Sequence, residues 1–149
     1  MRRLAAFAFL AATAISAAPA ARPIQFAEQP PTGGALVLPL GSAADLASRG
    51  MMLDPASREA VGRALASAEF RYRSRDTLTL RGIGPWTRIL IVGTQGDGAE
   101  AVRLQTPGAT AAQETERENG PVAIAATGLG DSAGAAAQIG VGARLGGYR

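Results

Sequence analysis

The chain has 149 residues and a formal net charge of +3, and it contains no histidine and no cysteine. Its 15 basic residues are all arginine. The missing imidazole, thiolate and amine groups exclude most zinc, copper and iron sites, Ser-His-Asp and Cys-His catalysis, P-loop lysines and Schiff-base chemistry. Composition therefore predicts that the chain carries no complete active site, and no catalytic, cofactor-binding or metal-binding residue is assigned to it.

The N-terminus has the layout of a secretory signal peptide. Arg2 and Arg3 form a short positive region, residues 4–18 are uncharged and apolar, and Ala18 and Ala20 supply a small-x-small cleavage pattern. The apolar run is shorter than the roughly 20 residues of a membrane-spanning helix, so we expect no stable membrane span. We predict a signal peptide at residues 1–20 and a periplasmic or secreted protein. The alternative is an alanine-rich helix that packs on a cytoplasmic domain.

The segment after this signal predicts two strands. Residues 23–28 alternate weakly between apolar and polar side chains and predict a first strand. Residues 35–40 are continuously apolar between glycines, which predicts a strand buried on both faces with Pro39 at its end.

A helix is predicted to follow, with Asp54 as its cap and Pro55 at its first position. Apolar residues then recur at helical spacing as far as Ala68. Residues 77–80 alternate as a half-buried strand, and residues 88–92 form the most strand-like segment of the chain.

The last third predicts helices around one more strand. A helical stretch begins at Ala99, and the Pro-Gly pair at 107–108 is expected to divide it into two pieces, the second ending near Asn119. Residues 121–127 predict a buried strand, and Asp131 or Ser132 is expected to cap a final helix. Its predicted extent is residues 133–145. Strands that alternate with helices predict an α/β layered fold with a mostly parallel or mixed sheet flanked by helices.

Two glycine-rich loops are the first candidate sites. Residues 93–98 (GTQGDG) connect a strand to a helix, and residues 128–132 (GLGDS) precede the last helix. Such loops can cradle an anion at a helix N-terminus, but neither has the GxGxxG or GK[ST] spacing of a nucleotide-binding loop. A tight connection that uses glycine for positive φ is the favoured interpretation.

Two charged clusters are the other candidates. Residues 71–75 interleave three arginines with Tyr72, a pattern found in nucleic-acid contacts. Without Arg2 and Arg3 the chain carries only one net positive charge, so we favour a solvated loop or edge strand and expect no nucleic-acid partner. The acidic cluster contains Glu114, Glu116 and Glu118, of which the first and last share a helix face and could hold a hard metal. A charged helix end is favoured because no other ligand is nearby.

Four segments together resemble the N-terminal domain of the leucyl (cytosol) aminopeptidases. They are GALVLPL at 34–40, Phe70 followed by DTLTL at 76–80, RILIVGTQG at 88–96, and GARLGGYR at 142–149. The resemblance covers residues 24–149, and we assign residues 21–149 to this domain. The last segment resembles the stretch that leads into the family's catalytic domain, which this chain lacks. We therefore expect a truncated chain.

The resemblance implies a macro-domain-like fold and a non-catalytic role for this chain. Members of the family are metallo-exopeptidases that use two divalent metals, zinc or manganese, and they commonly form hexamers. Their metal ligands and catalytic residues belong to the catalytic domain, so none is carried over to this sequence. The alternative function is a stand-alone macro-like module that binds a nucleotide-type or other anionic ligand through residues 93–98 and 128–132.

Overall fold

A computed structural model describes residues 23–29 and 31–148 of the chain. Its four strands form one sheet in the order β2-β3-β1-β4. β1 is parallel to β3 and β4, whereas β2 is antiparallel to β3. The strands are β1 (Gly34–Leu40), β2 (Thr77–Leu80), β3 (Trp86–Gly93) and β4 (Val122–Ile124). The predicted α/β fold with a mixed sheet is confirmed.

Helices cover both faces of this sheet. The helices are α1 (Leu46–Arg49), α2 (Pro55–Ser67), α3 (Glu100–Glu114) and α4 (Ser132–Gly147), with 3-10 turns at Ala43–Asp45 and Gly50–Met52. The sequence predicted α2 and α4 correctly, and Asp131 is the cap of α4. It missed α1 and the two 3-10 turns, which are too short to show helical periodicity.

Both faces of the sheet are buried because a helix packs on each of them, and β1 is one of the two inner strands. On one face, Leu36 and Ile89 pack in a cluster with Val61 of α2. On the other face, Leu90 packs with Ala111 of α3. Residues 35–40 of β1 are all buried, which explains why this strand is continuously apolar rather than alternating. Proline has no amide hydrogen to donate to a neighbouring strand. Pro39 is nevertheless tolerated, because β4 pairs with β1 only as far as Val37.

Asp54 caps α2 as predicted. Its carboxylate accepts hydrogen bonds from the Ser57 amide at 2.9 Å and the Ser57 hydroxyl at 2.5 Å. These hydrogen bonds, with the side-chain one as the larger cause, lower the pKa of Asp54 below its usual value. A carboxyl with a lowered pKa stabilises the folded chain above its unfolded pKa of about 4, and this stabilisation is lost as the pH falls through the lowered pKa.

We therefore expect Asp54→Ala to lower the melting temperature by a few degrees at neutral pH, because the helix loses its cap. The difference from wild type should shrink as the pH falls below about 4. Melting curves followed by circular dichroism across this pH range test the expectation. A difference that stays constant down to the acid limit would contradict it. Ala56→Ser, on the exposed side of the same first turn, is the control and should melt close to wild type.

The prediction of a strand at residues 23–28 is wrong. This segment is exposed and irregular, and its Ile24 and Phe26 side chains lie beside Gly140 of α4 rather than along the sheet. Its weak alternation therefore reflects packing on a helix. The prediction for residues 121–127 was too long, because the strand occupies only Val122–Ile124. β4 is half-buried, as expected of a short strand at the edge of the sheet.

The predicted break at Pro107 and Gly108 is also wrong. α3 is continuous through both residues and ends at Glu114, earlier than expected. An internal proline typically costs a helix about 3 kcal/mol. Here both residues are buried, and Gly108 lies directly against the backbone of Ile139 in α4. Close packing of two helices outweighs the local preference of the Pro-Gly pair.

Residues 1–22, which include the whole predicted signal peptide at residues 1–20, lie outside the described residues. Within residues 23–29 and 31–148, no helix is both long enough and apolar enough to cross a membrane.

Candidate functional site

The carboxyl ends of the three parallel strands are the first place to look for a site. In open α/β sheets, ligands bind in the crevice beyond these strand ends. The loops after β1, β3 and β4 all start at this edge because the three strands are parallel. Both glycine-rich loops predicted from the sequence, residues 93–98 and 128–132, therefore lie at the edge where an α/β fold would hold a ligand.

The first half of the glycine-rich loop at residues 93–98 uses its amides internally. The Gly93 amide donates to Asp76 O at 2.8 Å, the Thr94 amide to Leu40 O at 2.9 Å, and the Gln95 amide to Tyr72 O at 2.8 Å. Gly93 must be glycine because a Cβ there would overlap the backbone of Tyr72. These three amides cannot also cradle a phosphate. The favoured interpretation, a tight strand-to-helix connection, agrees with this geometry.

A carboxylate of the protein itself occupies the end of β1. Asp45 accepts hydrogen bonds from the amides of Gly41 at 2.7 Å and Ser42 at 3.1 Å. It also pairs with Arg49 at 3.0 Å, and Arg49 donates to Pro39 O at 2.6 Å. Burial lowers the pKa of Arg49, and the charge of Asp45 partly opposes this effect. Asp45 thus takes the amides and the cation that an anionic ligand would need.

The second glycine-rich loop is capped in a similar way. Gly128 and Gly130 both have positive φ, and Gly128 lies against the side chain of Ser48. The Asp131 carboxylate accepts a hydrogen bond from the Ala133 amide at 3.2 Å. A negative side chain therefore stands at the N-terminus of α4, where an anion would bind.

The basic cluster at residues 71–75 forms a loop packed onto the first glycine-rich loop. Arg73 forms an isolated parallel bridge with Gln95. The Tyr72 ring stands edge-on to Phe70 with centroids 5.1 Å apart, and it packs against the core. Tyr72 is therefore used for folding and is not available to stack on a base. The interpretation as a solvated loop agrees with this arrangement.

The acidic cluster surrounds a buried arginine. Arg88 of β3, only 8% exposed, lies 3.0 Å from the Glu114 carboxylate and 3.6 Å from that of Glu118. It also donates to the Glu114 carbonyl at 2.5 Å and to Thr79 Oγ1 at 3.3 Å. α3 ends at Glu114, so Glu118 lies beyond the helix and the two residues do not share a helix face. Both carboxylates pair with Arg88, so they hold this cation rather than a metal.

Arg88, Glu114 and Glu118 line an open groove of about 550 Å³ together with Arg81 and Arg117. Among residues 23–29 and 31–148, no group of three or more His, Cys, Asp or Glu side chains could hold a metal ion. Arg88 was not predicted from the sequence as the centre of this cluster. Its signal was a single charged residue at the start of an otherwise apolar strand.

Comparison with solved structures finds a mutant tomato leucine aminopeptidase, with a TM-score of 0.52 and 20% sequence identity. The match covers 78% of this chain and 25% of the tomato chain. The chain has the fold of part of a leucine aminopeptidase. No family model matches the sequence, and no curated protein matches it. At this identity the match shows a shared fold.

Proposed function

We propose that this chain is the non-catalytic N-terminal domain of a leucyl-aminopeptidase-type metallo-exopeptidase. The observation that carries the proposal is the fold similarity, which extends over 78% of this chain but only 25% of the tomato enzyme. The four sequence segments that resemble the family support it independently of the backbone comparison. The whole enzyme would remove N-terminal amino acids from peptides.

The residues of this chain do not suit a two-metal centre. The sequence has no histidine and no cysteine, and the described part contains no acidic cluster that could hold a metal. Glu114 and Glu118 are already paired with Arg88. In this proposal the two divalent metals, zinc or manganese, belong to a separate catalytic domain. The present domain supports assembly and shapes access to that active site.

Export and assembly complete the proposal. The layout of residues 1–20 supports secretion to the periplasm or beyond. The family resemblance supports a homo-oligomer, a hexamer in the complete enzyme. The rival function, an anion-binding module, is not favoured because the amides of Gly93, Thr94 and Gln95 already donate to backbone carbonyls and the Asp131 carboxylate stands at the N-terminus of α4.

We expect the purified full chain, loaded with zinc or manganese, to release no product from a leucine-terminated chromogenic peptide. The physical reason is that residues 23–29 and 31–148 contain no cluster of side chains that could hold a metal, and a complete leucyl aminopeptidase serves as the positive control. Product that disappears with a chelator and returns with metal would contradict the proposal.

Sequencing the coding DNA beyond the Arg149 codon tests whether the reading frame continues into a catalytic domain. A frame that continues into a long segment rich in Lys, Asp and Glu supports the proposal.

Calorimetry with ADP-ribose separates the rival function from this one. We expect no heat of binding. Heat of binding in the wild type that is lost in Gly130→Asp would favour the binding module. Gly130 is chosen because it lies in the loop before α4, where it has positive φ and open space around an added side chain.

A further inference from the structure

The outer edge of β2 is an open row of backbone groups. β2 stands at one end of the sheet, and within the described part of the chain it pairs only with β3. The Gly93 amide donates to Asp76 O at 2.8 Å, which marks these two residues as a hydrogen-bonded pair of the antiparallel ladder. Hydrogen-bonded pairs alternate along such a ladder, so the backbone groups of Leu78 face β3, whereas those of Thr77 and Thr79 point away from it. The N–H and C=O groups of both threonines are therefore available to a further strand.

Features that usually block a sheet edge are missing from β2. The strand contains no proline, its register with β3 has no bulge, and Thr77 and Thr79 are exposed. The opposite edge is less suited to pairing, because β4 has only three residues and directly follows Pro121. Of the two edges, β2 is therefore the better place for another strand to bind.

Arginines flank the β2 edge at both ends. Arg75 precedes the strand and Arg81 follows it, and both residues are exposed. The ion pairs in the described part of the chain involve other arginines. Residues 71–81 carry four arginines and a single acid, Asp76. The charge around this edge therefore attracts a negatively charged strand and repels a positively charged one.

We propose that the β2 edge binds an extended acidic segment of a different protein, which joins the sheet as an additional antiparallel strand. Backbone pairing supplies the affinity, and carboxylates opposite Arg75 and Arg81 supply the selectivity. A second copy of β2 does not fit, because antiparallel pairing centred on Leu78 would set Arg75 opposite Arg81 of the partner subunit. Nucleic acid fits less well, since the Tyr72 ring packs against the core and is not available to stack on a base. This inference does not depend on the proposed function.

The alternation of β2 predicts the pattern of the bound segment. Leu78 and Leu80 are half-buried on the sheet face that packs with α2, so they favour apolar side chains beside them. Thr77 and Thr79 lie on the other face and favour threonine. A matching segment therefore alternates apolar residues with threonine over about five positions and carries a carboxylate at each end.

A synthetic peptide with blocked termini, Glu-Val-Thr-Val-Thr-Val-Glu, is the probe, and fluorescence anisotropy measures its binding to the full chain. In the antiparallel register its threonine amides donate to the carbonyls of Thr77 and Thr79. We expect N-methylation of both threonines to abolish binding. N-methylation of the valine after each threonine, whose amide points away from β2, should change the dissociation constant by less than about twofold. Equal binding of the two methylated peptides, or no binding of the parent peptide, overturns the proposal.

The selectivity for acid is tested on both partners. We expect a peptide with lysine at both ends to bind about tenfold more weakly than the parent. The double variant Arg75→Gln and Arg81→Gln should weaken binding of the parent peptide by a similar factor. The matched control, Arg63→Gln with Arg144→Gln, removes two exposed arginines from α2 and α4 and should leave binding unchanged. Equal effects of the two double variants overturn the proposal, and so does an oligothymidine that binds more tightly than the peptide.

Hydrogen exchange of the unsubstituted chain locates the contact. The Leu78 amide faces β3 and should exchange slowly with and without peptide. The Thr77 and Thr79 amides should exchange rapidly in the free chain and at least about tenfold more slowly at saturating peptide. Slow exchange of both threonine amides in the free chain would show that the edge is already covered, and unchanged rates with peptide would place its binding elsewhere. Either result overturns the proposal.

Discussion

Replacing Gly142 with alanine is expected to destabilise the fold, whereas replacing Gly62 with alanine should stabilise it. Both glycines lie inside helices, where alanine is favoured by about 1 kcal/mol. At Gly142 the added Cβ would overlap the backbone of Gln105 in α3, and a backbone cannot move aside as a flexible side chain can. We expect a net loss of about 2 kcal/mol in the free energy of unfolding.

Gly62 supplies the matched control for this substitution. A Cβ there would meet Leu46 at 3.7 Å, an ordinary van der Waals distance. We therefore expect Gly62→Ala to gain up to about 1 kcal/mol. Urea unfolding curves of the two variants and the wild type measure both values. If Gly142→Ala unfolds at the same urea concentration as Gly62→Ala, the close contact between α3 and α4 is wrong.

Arg88→Met is expected to have the second large effect. The substitution keeps the length of the apolar stem in the sheet but removes the guanidinium. Glu114 and Glu118 then lose their shared cation, and the Glu114 carbonyl loses a donor. Removing one partner of a buried ion pair typically costs about 3–5 kcal/mol. We expect about 2 kcal/mol here, since the Glu114 side chain is 48% exposed and water partly replaces the arginine.

Arg63→Met is the control for this substitution. Arg63 pairs with Glu59 on the exposed face of α2, where the side chains are 67% and 72% exposed. Such surface pairs contribute at most about 1 kcal/mol, so we expect a change within about 0.5 kcal/mol. Guanidinium unfolding of both variants provides the comparison. Equal losses at the two sites would show that Arg88 does not organise the groove.

The strands and caps were predictable where the signal lies in adjacent residues. The apolar runs of β1 and β3 are dense because both faces of the sheet are covered, and this density is visible in the sequence. The Asp54-Pro55 pair specifies the start of α2 through a hydrogen bond only three residues long. Local chemistry of this kind survives folding without being changed by distant contacts.

The features that could not be predicted depend on distant residues. The continuity of α3 through Pro107 requires α4, whose Ile139 lies against Gly108. The acidic partners of Arg88 lie 26 residues or more further along the chain, so no local pattern links them. The glycine-rich loops were located correctly at the ligand-binding edge of the sheet. Only the structure shows that the amides of Gly93, Thr94 and Gln95 donate to backbone carbonyls and that the Asp131 carboxylate already accepts a hydrogen bond from the Ala133 amide at the start of α4.

The position of β1 in the sequence has a consequence for how the chain emerges from the ribosome. Among the described residues β1 is the first strand to be synthesised, yet it is an inner strand of the sheet, and Val37 pairs with both Leu90 and Ile124. Loop closure over such distances is slow relative to helix formation. The most apolar segment of the sheet therefore stays unpaired until most of the chain has been translated. During that interval, holdase chaperones would find their binding site in β1.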